Sequence, residues 1–231
     1  MTQFIQLHFL TSYPPANLNR DDLGNPKTAR LGGVERLRVS SQSLKRAWRT
    51  SETFQKEFSG SIGTRTRRLG IEVFEALKAK GVTEKKAKDW AEEIAKEYGA
   101  LKKDVPLEIE QPVHVAPEER KTLNDLVSKL AEEQRGPKKE ELESLLHDHT
   151  AVDIAMFGRM LASKTEFNGE AAVQVAHAIG VHASAVEDDY FTAVDDLNRN
   201  EPGAAHIGEA GFAAAVFYQY VCIDRDLLKK N

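Results

Sequence analysis

Residues 37–49, reading Leu-Arg-Val-Ser-Ser-Gln-Ser-Leu-Lys-Arg-Ala-Trp-Arg, gather the groups in this chain best suited to holding a phosphate. A β-rich stretch delivers two serines to the start of a helix, with Ser40 or Ser41 as its N-cap. The first turn of a helix has backbone N–H groups without intrahelical acceptors, and its dipole favours anions. Gln42, Lys45 and Arg49 stand at i, i+3 and i+7 and therefore share one face. Leu44 and Trp48 fall on another face, suited to packing. Arg36 and Arg38 on the preceding strand, and Arg20 in the loop before it, extend the positive set. The spacing predicts an anion cradle flanked by cations and an amide. A capped helix with a solvated basic face has the same pattern, so this segment alone leaves both readings open.

The distribution of charge bears on that choice. The chain of 231 residues carries a formal net charge of −4, which by itself argues against a nucleic-acid binder. Up to residue 70, however, there are 12 Lys+Arg against 5 Asp+Glu, and beyond it 20 against 31. An asymmetry of this size predicts a basic working surface on an otherwise acidic body.

Other chemistries find less support. Asp21 and Asp22 form an acidic pair in a loop beside Arg20, the pattern a metal-dependent RNA nuclease would need, and polar loops carry such pairs routinely. In the run His147-Asp148-His149, adjacent residues on a helix cannot all face one ion, so a solvated helix end is expected and no metal. There is no cysteine cluster, Gly-rich phosphate loop or G-x-S-x-G elbow, and no cofactor is expected. The lone Cys222 and an N-terminus without a signal-peptide pattern predict a reducing, cytoplasmic setting. No apolar stretch approaches the roughly 20 residues of a membrane span.

The elements that must position these residues read as follows. Residues 4–11 and 34–39 are strands, separated by a loop at 12–33 rich in Pro, Asn, Asp and Gly. The middle hundred residues read as charge-laced helices: 70–79; 84 onward behind Thr83 with a Trp90, Ile94, Tyr98 stripe; 118–133; and 137–147 with Pro in its first turn. Residues 172–182 alternate Val173, Val175, His177, Ile179 and Val181, which predicts a strand despite their alanines. An irregular excursion spans 190–211, and 212–223 is an aromatic, β-branched strand. The order predicts an α+β fold with a long helical insertion, and a β-α-β-β-α-β sheet still lacking its last helix and strand.

Six blocks, taken together, resemble one family. They are LNRDD at 18–22, RVSSQSLKRAWR at 38–49, DIAMFGRM at 153–160, VAHAI at 175–179, YFTAVDDL at 190–197 and AAHIG at 204–208. In that order they resemble the Cas-seven (CasC) backbone subunit of the type I-E CRISPR Cascade complex. The resemblance implies an RRM-like (ferredoxin-like) palm, helical fingers and a β-hairpin thumb. The palm would comprise 1–58, 169–189 and 212–231, the fingers 59–168 and the thumb 190–211. It implies no enzymatic activity, and as partners the guide RNA (crRNA), target DNA reached through the guide, further copies of the chain and other Cascade subunits, with no membrane. On this pattern Arg20, Arg38, Ser40, Gln42, Lys45 and Arg49 hold RNA phosphates. Arg159 and Met160 lie in a loop facing the RNA, and Phe191, Thr192 and Val194 form the thumb base, where a nucleotide is displaced. Members of the family continue beyond the point where this chain stops, in a part expected to complete the palm. Two other functions fit the residues: an RNA-cleaving subunit of the type III kind using Asp21 or Asp22, and a protein-interaction module without RNA affinity.

Overall fold

The computed structural model describes residues 3–146, 151–162, 164–194 and 204–231. Along the chain run β1 (Phe4–Ala16), β2 (Thr28–Leu31), β3 (Val34–Val39), α1 (Ser41–Arg49), α2 (Glu52–Glu57), β4 (Thr64–Thr66), α3 (Leu69–Ala79) and α4 (Glu84–Tyr98). There follow β5 (Val113–Val115), α5 (Pro117–Glu133), α6 (Lys139–Glu143), α7 (Val152–Phe157), β6 (Val173–Val175), β7 (Ala178–Gly180), β8 (Glu187–Val194), β9 (Ala204–Asp224) and α8 (Arg225–Lys230). Two compact units result. A sheet unit comprises 4–48 and 174–223, and a helical unit comprises 49–173 with Gln3 and 224–231. The fold is a mixed α+β one, as the element order predicts.

The sheet has the order β1-β9-β7-β3-β2, with β6 and β8 also pairing with β9. Its β2–β3 hairpin begins within 12–33, where the composition predicts a loop. Gly32 and Gly33 have φ of +64° and +80°, and Leu31 pairs with Val34 across them. Two consecutive positive φ values make the two-residue turn whose twist matches that of paired strands, and glycine adopts them without a Cβ penalty. The strand expected at 172–182 is two short strands, β6 and β7. Between them the Ala176 N–H donates to the Tyr220 carbonyl, and His177 turns its Nδ1 to the Ser41 N–H. The strand expected at 212–223 is the second half of the 21-residue β9, whose first half pairs with β8. The core of this unit is small: Leu37, Val39, Ala178, Ala213, Ala215 and Phe217, with Leu44 of α1 packed against it.

Strand β1 runs past the expected 4–11 to Ala16. Its edge position tolerates Pro14 and Pro15, which have no N–H to give a second neighbour. Phe4, Ile5, Leu7, Phe9 and Leu10 are all exposed on it. An apolar, unpaired edge of this length is a template for association. The double variant Phe4→Lys/Leu10→Lys is therefore expected to scatter less light than wild type at equal concentration, with an unchanged melting temperature. Equal scattering would place self-association elsewhere.

The helical unit has the larger core. Helix α3 packs on α4 and α5, and Leu69, Leu77, Trp90, Ile94, Tyr98, Leu123 and Leu130 interlock there. The predicted stripe on α4 is this buried face. Strands β4 and β5 form a two-stranded ribbon in a block that read as purely helical. The helix expected at 137–147 is only α6, Lys139–Glu143. Leu145 and Leu146 follow it outside any helix, and both are buried. His147, Asp148 and His149 lie outside the described residues. Among the described residues no helix is long and apolar enough to cross a membrane.

Candidate nucleic-acid interface

In the sheet unit, β3 ends at a corner built around Ser40. This residue is 7% exposed, and its hydroxyl accepts from the Ser43 N–H at 3.3 Å. The Leu44 N–H bonds to the Ser40 carbonyl, so Ser40 is the N-cap of α1. The Ser40 N–H donates to Asn19 Oδ1 at 2.9 Å, and the Ser41 N–H to His177 Nδ1 at 3.1 Å. Two separated segments thus hold the start of this helix. Gln42 is exposed and Lys45 half-buried on its outer side. The Arg38 guanidinium makes long bonds of 3.4 Å, to the Thr28 carbonyl and to His177. Arg36 is more firmly held, with 3.0 Å and 3.2 Å bonds to the carbonyls of Leu31 and Gly180.

The LNRDD loop is explained residue by residue. Asn19 anchors the corner through its side chain, and its carbonyl accepts from Lys27 N–H at 2.7 Å. Asp21 Oδ1 accepts from the N–H groups of Leu23 and Asn25, each at 2.9 Å, which turns the loop. Arg20 stands between these two staples, exposed, along an open groove lined also by Asn17, Leu23 and Asn25.

The excursion at 190–211 is a hairpin root. Strands β8 and β9 pair from Glu187↔Phe212 to Val194↔Ala204, with a register shift between Ala193 and Val194. Phe191 is 44% exposed, Tyr190 65% and Ile207 57%; Thr192 is also exposed. Residues 195–203, the rest of the excursion, lie outside the described residues.

In the helical unit the geometry differs from what the resemblance implied for two arginines. Arg49 is the last residue of α1, and its Nε donates to Asp153 Oδ2 at 2.7 Å. Asp153 is fully buried, and its Oδ1 accepts from the Gly63 N–H at 2.9 Å. His114 Nε2 lies 2.8 Å from Asp153 Oδ2 and 3.1 Å from the Arg49 Nη2. That nitrogen can donate to the carboxylate or accept from the guanidinium, not both at once. Arg49 is therefore committed to a buried carboxylate. Arg159 is the clearer correction. Expected in a loop facing RNA, its side chain is 1% exposed and its Nη1 donates to both oxygens of an equally buried Glu119, at 2.7 and 2.8 Å. Its Nε and Nη2 donate to the Phe167 carbonyl. A guanidinium so enclosed cannot reach a phosphate without abandoning a buried charge. Its neighbour Met160 is 80% exposed. The paired backbone bonds between Arg159 and Gly169 close the base of the loop that presents it.

Burial pushes the Asp153 carboxyl up, but the His114 hydrogen bond, the Gly63 N–H, the His114 charge and Arg49 outweigh it and hold it at about 2, against a usual 3.8. A depressed carboxylate stabilises the fold above its ordinary value and loses that contribution as pH falls through the folded one. The contribution, about 2 kcal/mol, should vanish between pH 4 and pH 2. Acid titration of stability should accordingly be shallower for Asp153→Asn in that window. An identical slope would remove the assignment.

The family model described as CT1975-like protein (Cas_CT1975) matches residues 5–231. The chain belongs to this family. It is similar to a solved chain of a "CRISPR RNA-guided surveillance complex, pre-nicking", at 31% identity and TM-score 0.81. It is also similar to one of a "CRISPR RNA-guided surveillance complex", at 28% identity and TM-score 0.69. Each match covers 99% of this chain and 66% of the other. A comparison with curated proteins gives no match. The Cas-seven-type assignment made from the six sequence blocks agrees with the family and with both structures.

The contacts that several residues of these sites make carried no visible signal in the sequence. Asn19 and His177 contact the corner from 21 and 136 residues away. His114 stands in a stretch without periodic pattern. Glu119 was legible only as the acidic residue three positions after the N-cap Ala116 of α5, where its Oε2 accepts from the Ala116 N–H.

Proposed function

We propose that this chain holds a guide RNA by its backbone as a repeating subunit of a CRISPR surveillance complex of the type I-E Cascade kind. The sheet is its RRM-like palm, 190–211 its thumb, and the helical unit its fingers. The observation that carries the reading is the Ser40 corner. A helix start clamped by Asn19 and His177 and flanked by Gln42, Lys45, Arg38 and Arg20 offers cations and a side-chain amide to a phosphate. A guide must be held in this way, by phosphates, so that its bases remain free to pair with target DNA of any sequence. Partners on this reading are the guide RNA, further copies of the chain stacked along it, other Cascade subunits and, through the guide, target DNA in the cytoplasm. Met160, 80% exposed, is an apolar group able to interrupt stacking, and the exposed Phe191 offers a ring on which a base can stack.

The subunit is not an enzyme on this reading. Asp21 spends its carboxylate on two backbone N–H groups, which supports a structural loop over a type III-like nuclease. Labelled RNA and DNA should survive incubation with and without divalent metal. Metal-dependent cutting abolished by Asp22→Ala would contradict this. The direct test of the reading is purification from cells expressing a guide transcript. RNA of narrow length should accompany the chain. Protein free of RNA would favour a protein-interaction module.

A further inference from the structure

Gly208 stands opposite Phe191 in the β8–β9 register. A Cβ placed on Gly208 would collide with the far edge of the Phe191 ring, coming within 2.8 Å of both Cε atoms and closer still to Cζ. The ring therefore does not project from the hairpin. It folds across the neighbouring strand and covers the backbone at Gly208, which is half-buried although Ile207 and Glu209 beside it are exposed. The backbone does not demand glycine here, since Gly208 is absent from the positive-φ positions. What demands it is the ring. We propose that Gly208 is a positioning residue that lays Phe191 flat on the hairpin root as a stacking platform for a single nucleobase of bound RNA. The proposal rests on the RNA-holding reading above.

The physical case has three parts. A phenyl ring hinged at Cα has several staggered χ1 positions open to it on an exposed strand. Backbone without a side chain beneath it selects the position in which the ring covers that backbone, the arrangement by which an aromatic shields a cross-strand glycine. The ring remains 44% exposed, so apolar area is left to offer. A base stacks on an aromatic face whatever its sequence, which suits a guide of arbitrary sequence. An alanine at 208 fits the strand but evicts the ring edge, and a ring edge is free to move. The variant should thus stay folded with Phe191 turned elsewhere.

The test uses the full chain and short single-stranded RNA carrying 2-aminopurine at one position, moved along the strand in successive oligonucleotides. Wild type should quench the fluorophore at a defined position. Phe191→Leu and Gly208→Ala should each reduce that quench about fivefold or more, while Gly208→Ala keeps the wild-type melting temperature. Anisotropy in the same titration reports affinity, which should fall by a smaller factor than the quench. Full quenching by Gly208→Ala, or quenching indifferent to Phe191→Leu, overturns the platform. RNA that does not bind wild type at all overturns the palm reading itself, and the ligand assigned to the platform with it.

Discussion

Arg159→Ala should cost the helical unit about 3–5 kcal/mol, the largest loss expected of any single polar residue among the described ones. The reason is the state of Glu119 once its partner is gone. Its carboxylate is 1% exposed and takes two charge-assisted bonds from Arg159, so truncation leaves a buried charge that has lost its guanidinium partner, with the Ala116 N–H still donating to it. Arg159 also ties down the Phe167 carbonyl, and with it the loop that carries Met160. Lysine cannot reproduce the fork that reaches two acceptors in different directions, so Arg159→Lys should recover little. Replacing both partners with neutral residues of similar volume, as in Glu119→Gln/Arg159→Met, should restore most of the loss. Denaturant melts decide the matter. A loss below about 1 kcal/mol, accompanied by weaker RNA binding, would return Arg159 to the role of a phosphate ligand.

Asp153→Ala is the second large effect, expected at about 3 kcal/mol. One buried carboxylate here serves Arg49 Nε, His114 Nε2 and the Gly63 N–H. Its removal strands a guanidinium and a buried amide together. The His114 ring packs so close to Gly63 that an added Cβ would come within 2.8 Å of it. Arg49→Ala should be milder, since it leaves Asp153 with His114 and the Gly63 N–H. Equal losses from the two variants would mean that the Gly63 and His114 bonds contribute nothing. On this account Arg49 is a structural cation, and its loss lowers thermal stability without changing the salt dependence of RNA binding.

What could be read from the sequence, and what could not, follows a physical division. Local signals were legible. The capped α1 behind β3, the α4 stripe and the amphipathic α5 all follow from contacts within a few residues of each other. The β2–β3 hairpin is also written locally, in Gly32-Gly33 between two short β-rich runs, but the surrounding turn residues mask it. Non-local features were hidden. Alternation placed 172–182 in a strand, but the break at Ala176 and His177 depends on bonds to Tyr220 and Ser41, which no pattern at 172–182 encodes. The family resemblance located Arg49 and Arg159, yet a charge in a sequence block does not say whether it meets solvent. Asp153 and Glu119, 104 and 40 residues away, decide that.

The central claim is that the Ser40 corner binds RNA through its phosphates, and the salt dependence of binding to single-stranded RNA of mixed sequence tests it most directly. Each phosphate neutralised on a single strand contributes about −0.7 to the slope of log affinity against log salt. The double variant Arg20→Ala/Lys45→Ala should therefore flatten the slope by about 1.4, equally for RNAs of unrelated sequence. Arg49→Ala, measured where it remains folded, should leave the slope as in wild type. A double variant with the wild-type slope and affinity would contradict the claim.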